Sequence, residues 1–305
     1  ALAALRGGAA AGQATAQSAP DMSKYILTPK PADTPRINGA RVFGVRPGSE
    51  FLYTIAATGV RPMTFSAEGL PKGLKLDPKT GRITGRVTAP GEYTVHLKAT
   101  NALGSSERSL KIVAGSEIAL TPPMGWNSWN CWARDVTQEQ VLSSARAMVE
   151  SGLADHGWQG KRGGKDNAIQ PNAKFPDMKG LTRAIHDMGL RVGIYSTPWI
   201  GTYAAHIGSY SDNPDGVNEW IKKGRHNEHY RYQKEGGNYW KDRTEVWHLG
   251  PYSFVEADVK QWGEWGIDYL KYDWNPLDYY HVKEMHDALR TLDRDVVYSL
   301  SNSAP

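Results

Sequence analysis

A single cysteine, Cys131, stands among 305 residues, so the chain can form no intrachain disulfide. No apolar run reaches the roughly 20 residues needed to cross a bilayer, which excludes a helical membrane span on sequence grounds. Neither sign of charge is in large excess. The net charge is +4, and the Lys161-Arg162 pair with its flanking glycines is too short to act as a nucleic-acid patch. No Gly-x-Gly-x-x-Gly or phosphate loop follows the first strand of the second half, which argues against a nucleotide site. The histidines, His281 and His286 on one helix included, show no convincing metal-ligand spacing. The chain does have many aromatic residues, with 11 Trp and 15 Tyr. Flat rings with a polar edge suit stacking on a sugar and suit an ordinary core equally well.

Residues 1–20 are rich in Ala and Gly, with Ala-x-Ala-like stretches, one Arg and no initiating Met. They read either as the remnant of a signal peptide or as an Ala/Gly linker. The first reading implies bacterial-type export to the periplasm or the exterior. Residues 21–40, with three prolines, form an extended lead-in. Residues 1–40 are therefore set apart from the rest of the chain.

Residues 41–115 consist of short runs of alternating polarity, around 51–55, 81–87, 92–99 and 108–113. They are separated by Pro-Gly, Asp-Pro-Lys-Thr-Gly and Asn-Ala-Leu-Gly turn chemistry. This pattern predicts a small β-sandwich. No paired carboxylates or nucleophile motif fall within it. From residue 116 to residue 305 the pattern changes to strand, helix, strand, helix. Thr137 with Gln140 makes a capping box for a helix with Val141, Ala145, Met148 and Val149 on one face, ended by Gly152. A second helix runs from Asp177 to Met188 with Gly189 behind it. A third starts at the Ser253/Glu256 box and stops at Gly266, and a fourth lies around 281–289. Strands are expected at 124–129, 190–196, 267–273 and 296–300, giving a (β/α)₈ barrel or a doubly wound sheet.

In such barrels chemistry sits at the C-terminal ends of the strands. Those ends supply Trp126 with Asn127, Tyr195, Lys271 with Asp273, and Ser299 with Ser301. Lys271 and Asp273 lie two apart and so share one face, while Leu270 and Tyr272 point to the helix layer. A lysine beside an aspartate keeps the carboxylate ionised, as a nucleophile at an anomeric carbon requires. The same pair also reads as a structural ion pair, and spacing alone leaves both open. Trp262 and Trp265 read as packing residues, and Cys131 as a small buried thiol.

The stretches LTPPMGWNSWNCW (120–132), FPDMKGL with GLRVGIY (175–195) and WGIDYLKYDWN (265–275) resemble glycoside hydrolase family 27. That family holds α-galactosidases and α-N-acetylgalactosaminidases. The stretch GLPKGLKLDPKTGRITGRVTAPGEYTVHLKATNALG (69–104) resembles the Ig, cadherin-like modules attached to bacterial glycosidases. The resemblance implies a secreted O-glycosyl hydrolase that removes terminal α-linked galactose with retention, without cofactor or metal. It implies Asp273 as nucleophile and Trp126, Tyr195, Lys271 and Ser301 as sugar-binding residues. A carbohydrate is thus the expected partner, with no nucleic acid and no membrane span, and oligomeric state is not implied. α-N-Acetylgalactosaminidase and β-L-arabinopyranosidase activity are the enzymatic alternatives, and a degenerate carbohydrate-binding protein is the non-enzymatic one. Two departures stand out. The text passes from SGLADHGW (151–158) directly into QGKRGG (159–164), where the family has a second strand ending in Ile-Asp-Asp-x-Trp, so that strand is expected to be deleted. Strands 6–8 and the acid/base aspartate are expected to be missing too, leaving an incomplete barrel that is inactive as a fragment. The polar stretch 201–250 reads as a long loop bordering the pocket.

Overall fold

A computed structural model describes residues 30–132, 136–152, 160–162, 174–196, 227–232, 244–249, 255–272, 277 and 279–300. Nine strands make the first part. They are β1 (Arg36–Ile37), β2 (Val42–Val45), β3 (Glu50–Thr54), β4 (Ala57–Thr58), β5 (Thr64–Glu68), β6 (Leu74–Leu76), β7 (Arg82–Arg86), β8 (Gly91–Asn101) and β9 (Gly104–Ala114). A four-stranded sheet in the order β2-β9-β8-β5 faces a three-stranded sheet β3-β7-β6, with β1 and β4 paired beside them. Alternation along β8 and β9 turns Val95, Leu97, Ala99, Leu110 and Ile112 inward, where they meet Phe51, Tyr53 and Ile83 of the other sheet. Tyr53 keeps its hydroxyl satisfied inside this core by donating to the Ala40 carbonyl at 2.9 Å, and burial pushes its phenol up to about 12.

The second part begins with β10 (Gly125–Asn127), α1 (Trp129–Trp132) and α2 (Gln138–Glu150). Then come β11 (Gly160–Arg162), α3 (Met178–Asp187), β12 (Arg191–Ser196), β13 (Asn227–Tyr232) and β14 (Thr244–Leu249). They are followed by α4 (Val255–Trp265), β15 (Tyr269–Tyr272), α5 (Tyr279–Arg290) and β16 (Val297–Leu300). The strands β10-β11-β12-β15-β16 form one sheet, parallel throughout. A parallel sheet requires crossovers, and α2, α3, α4 and α5 supply the layer that covers one of its faces. The capping chemistry holds: Thr137 and Gln140 make the reciprocal box at α2, Asp177 accepts from the Gly180 amide at α3, and Gly152, Gly189 and Gly266 follow their helices with positive φ. The Ser253 half of the predicted α4 box lies outside the described residues.

Four expectations are corrected. The second sheet position is filled: β11 pairs with β10 on one side and β12 on the other, so a three-residue strand stands where a deletion was expected. Its Gly-Lys-Arg sequence has no apolar alternation, but an open edge on either neighbour would leave backbone groups unpaired. Within the stretch read as a long loop, β13 and β14 pair as an antiparallel ribbon. Val149 is exposed rather than buried beside Val141, Ala145 and Met148, and Cys131 is exposed rather than buried. Trp262 is buried and Trp265 packs beside it, as the reading of both as packing residues required.

Candidate active site

Register fixes which side chains share a face. In a parallel ladder, directly paired residues point the same way and neighbours along a strand point apart. Leu270 and Tyr272 of β15, with Val192 and Ile194 of β12, lie in the core shared with the helices; Leu270 and Tyr272 are wholly buried there. Tyr298 of β16 pairs with Leu270 and packs against the same core, donating to the Val282 carbonyl of α5 at 3.3 Å. Burial pushes the Tyr298 phenol far above its ordinary value.

The opposite face is the one turned away from the helices. There Tyr195, Lys271 and Ser299 form one row across β12, β15 and β16, since Tyr195 pairs with Lys271 and Lys271 with Ser299. The row lies near the C-terminal ends of its strands, where the sequence placed the chemistry. Tyr195 is buried and Lys271 half-buried. One pair back toward the strand starts, Asn127, Arg162, Gly193, Tyr269 and Val297 make the preceding row. Gly193 is needed in it: a Cβ there would lie 3.0 Å from the Tyr269 Cβ and 3.1 Å from its carbonyl oxygen. Tyr269 therefore lies close across β12 on the face that carries Tyr195 and Lys271.

Of the residues singled out from sequence, Tyr195 and Lys271 come together on this face. Asp273 and Ser301 lie outside the described residues. Trp126 is found elsewhere. It pairs with Lys161 and, through it, is aligned with Val192, and it packs against the helix-side core with its ring edge-on to Trp132 at a centroid distance of 5.3 Å. Its neighbour Asn127 is the β10 residue that shares the face of Tyr195 and Lys271. Among the described residues no group of three or more His, Cys, Asp or Glu is placed to hold a metal ion.

Residues that sequence reasoning passed over hold the strands in place. Asp268, just before β15, accepts from the Val192 amide of β12 at 2.9 Å, from Arg294 Nη2 at 2.8 Å, and meets His186 Nε2 at 2.7 Å. Burial by itself would push the Asp268 carboxyl up. The His186 hydrogen bond and the charges of His186, Arg191 and Arg294 outweigh it and hold the group below the usual carboxylate range. The signal in the sequence is slight: one acid between Ile267 and Tyr269, on an apolar strand, must find partners if it is buried. A cavity of about 520 Å³ opens at this lower end, between the sandwich and the strand starts, lined by Phe43, Tyr53, Trp126, Arg191, Tyr269 and Val297 among others. Its lining includes Tyr269 and Val297 of the row preceding Tyr195–Lys271–Ser299 but none of those three, and Arg191, Asp268 and Asp295 on its wall are engaged in hydrogen bonds to other groups.

Comparison with known proteins places both parts. Residues 34–115 match the family described as "Putative Ig domain". The chain is 28% identical over 240 residues to alpha-galactosidase 3 of Arabidopsis thaliana, an alignment covering 72% of this chain and 45% of the relative. It is 30% identical over 201 residues to alpha-galactosidase A of Cellvibrio japonicus, covering 60% and 39%. Among solved structures, a "putative alpha-galactosidase" from Bacteroides fragilis NCTC 9343 is 33% identical with a TM-score of 0.69, covering 90% of this chain and 53% of its own. The chain thus spans about half the length of these relatives, or less. An Ig-like module is followed here by a parallel βα domain similar in sequence and fold to the α-galactosidases of glycoside hydrolase family 27.

Proposed function

We propose that the βα domain supplies the nucleophile and part of the sugar pocket of a retaining α-galactosidase, active in a protein of the relatives' full length. The observation that carries the reading is the row Tyr195–Lys271–Ser299 at the C-terminal end of a parallel sheet, with Asp273 two residues beyond Lys271 in sequence. Lys271 donates to sugar hydroxyls and holds the Asp273 carboxylate ionised. Asp273 attacks the anomeric carbon, and a glycosyl–carboxylate ester forms as the glycosidic C–O bond breaks. A second carboxylic acid, about 5–5.5 Å away in retaining enzymes, protonates the leaving oxygen and then takes a proton from the water that opens the ester. Tyr195 and Ser299 flank Lys271 as further hydroxyl partners for the sugar. Discrimination for galactose follows from pairing its axial hydroxyl with a charged donor, which a sugar lacking that geometry leaves unpaired. Proton NMR of the first-formed sugar from an aryl α-galactoside tests the reaction. The α-anomer is expected; first-formed β-anomer rules out double displacement.

One observation favours a second reading, a sugar-binding protein without turnover. Strand β11 holds the second sheet position with the sequence Gly-Lys-Arg, and so brings no carboxylate to where the family resemblance implies two. Galactose binding seen by calorimetry, together with no hydrolysis of aryl α-galactosides, would select it. Secretion of the protein belongs to the proposal as well and rests on the composition of residues 1–20. Accepting galactose while rejecting N-acetylgalactosamine and L-arabinose would separate the enzymatic alternatives.

A further inference from the structure

The Ig-like module reaches the βα domain through the carbonyls that close its helices. In a parallel βα arrangement, helix C-termini and strand N-termini lie at the same end, the end opposite the chemistry. Helix C-termini present carbonyls without intrahelical partners and a partial negative charge. Two sandwich arginines meet them, and a third reaches the turn that follows α5. Arg46, after β2, donates from Nη1 to the Arg290 carbonyl at 3.0 Å and from Nη2 to the Leu292 carbonyl at 3.0 Å and the Arg294 carbonyl, at and just beyond the end of α5. Arg82 of β7 donates to the Asp187 carbonyl at the end of α3. Arg86 of β7 donates to the Asp293 carbonyl at 3.3 Å.

Side chains lock the same junction. Asp295 accepts from Arg46 Nε at 2.6 Å, from the Arg46 amide at 2.9 Å and from Ser49 Oγ at 3.0 Å, with both charged side chains largely buried. Thr54 of β3 donates to the Gly189 carbonyl at 2.9 Å. In the reverse direction, Arg191 of β12 donates to the Leu52 carbonyl at 2.8 Å with its guanidinium 4.9 Å from the centre of the Phe43 ring. Glu50 of β3 meets Arg294 at 3.3 Å, and Arg294 in turn holds Asp268 at the start of β15. A continuous series of charges therefore runs from the sandwich to the two strands that carry Tyr195 and Lys271. The sandwich and the parallel sheet belong to one compact unit.

We infer that the Ig-like module is a fixed base of the βα domain, capping its helix C-termini and holding β12 and β15 in place from the end opposite the sugar-binding row. It is neither a flexible spacer nor a module that presents substrate to the site. A base of this kind serves a hydrolase and a sugar-binding protein alike, so the inference stands apart from the proposed reaction. The alignment with the Bacteroides fragilis structure supports it, because coverage of 90% of this chain cannot be reached without both parts.

Hydrogen exchange followed by mass spectrometry on the whole chain, with calorimetry, tests the inference. Arg46→Ala changes only the sandwich. It is expected to speed exchange at least tenfold in the last turn of α5 and in β16, and to lower the temperature of a single unfolding transition. Thr54→Val, which deletes the hydrogen bond to the Gly189 carbonyl and retains the shape of the side chain, is expected to speed exchange around the α3–β12 turn. It serves where Arg46→Ala does not fold. Faster exchange confined to the sandwich in both variants, or two separate transitions of which a sandwich substitution moves only one, overturns it.

Discussion

Tyr195 and Lys271 are register partners on adjacent parallel strands, and both point away from the helices. A phenol and an ammonium are thereby held side by side near the C-terminal ends of β12 and β15, with Ser299 next in the row. Positions in the middle of a sheet are held more rigidly than loop positions, which suits groups that must meet fixed hydroxyls on a sugar.

Lys271→Met removes the charged donor while nearly keeping the side-chain length. In a protein of the relatives' full length, kcat/KM for an aryl α-galactoside is expected to fall about 100-fold, the loss of a charge-assisted hydrogen bond of about 2–3 kcal/mol. Steady-state kinetics check this, and a change of less than about threefold would remove Lys271 from the site.

Gly193→Ala tests the close approach of Tyr269 to β12. The added Cβ meets the Tyr269 Cβ and carbonyl at 3.0–3.1 Å, so the strand or the ring has to shift. Overpacking of this kind costs about 1–3 kcal/mol. A lowered denaturant midpoint is expected along with weaker galactose binding, because the shift falls on the face that carries Tyr195 and Lys271.

How far the sequence announced these features differs from one to the next. The sandwich was readable because its strands alternate against turn residues, and α2, α3 and the glycines behind them were readable from local capping chemistry. The Lys271 face was readable because the two-residue period of a strand is a local property. Three features were hidden. β11 has only Gly-Lys-Arg, and its strand character comes from two neighbours that need pairing. The motif around Trp126 identified the residue but not its face, which register with β11 and β12 decides. The Arg46–Asp295 contact joins residues 249 apart, and no local pattern marks either one.

Asp268→Asn tests the buried cluster. The substitution leaves Arg294 and Arg191 without the carboxylate that faces them. Removing one member of a buried charged pair costs about 3–5 kcal/mol. Thermal unfolding is expected to show a loss of that order. An unchanged midpoint would mean that Asp268 does not anchor β15 to β12.

The same residue sets a pH dependence. The folded-state pKa of Asp268 is depressed, so its contribution is fully present above the unfolded carboxylate value of about 4. It is lost as pH falls from there through the lower folded value. Denaturant midpoints measured from pH 6 to pH 2 are expected to drop below about pH 4. The wild-type chain should drop more steeply than Asp268→Asn, and parallel curves for the two would contradict this.

The proposed function rests on one assignment above all, Asp273 as the nucleophile of a retaining α-galactosidase. Its most direct test is mass spectrometry of a protein of the relatives' full length after reaction with a fluorinated α-galactosyl fluoride. The ring fluorine slows breakdown of the glycosyl-enzyme, and the fluoride leaving group lets it form. One added fluorogalactosyl group is expected on the peptide that contains Asp273, and none in Asp273→Ala. A label on another carboxylate, or rapid hydrolysis that survives Asp273→Ala, would contradict it.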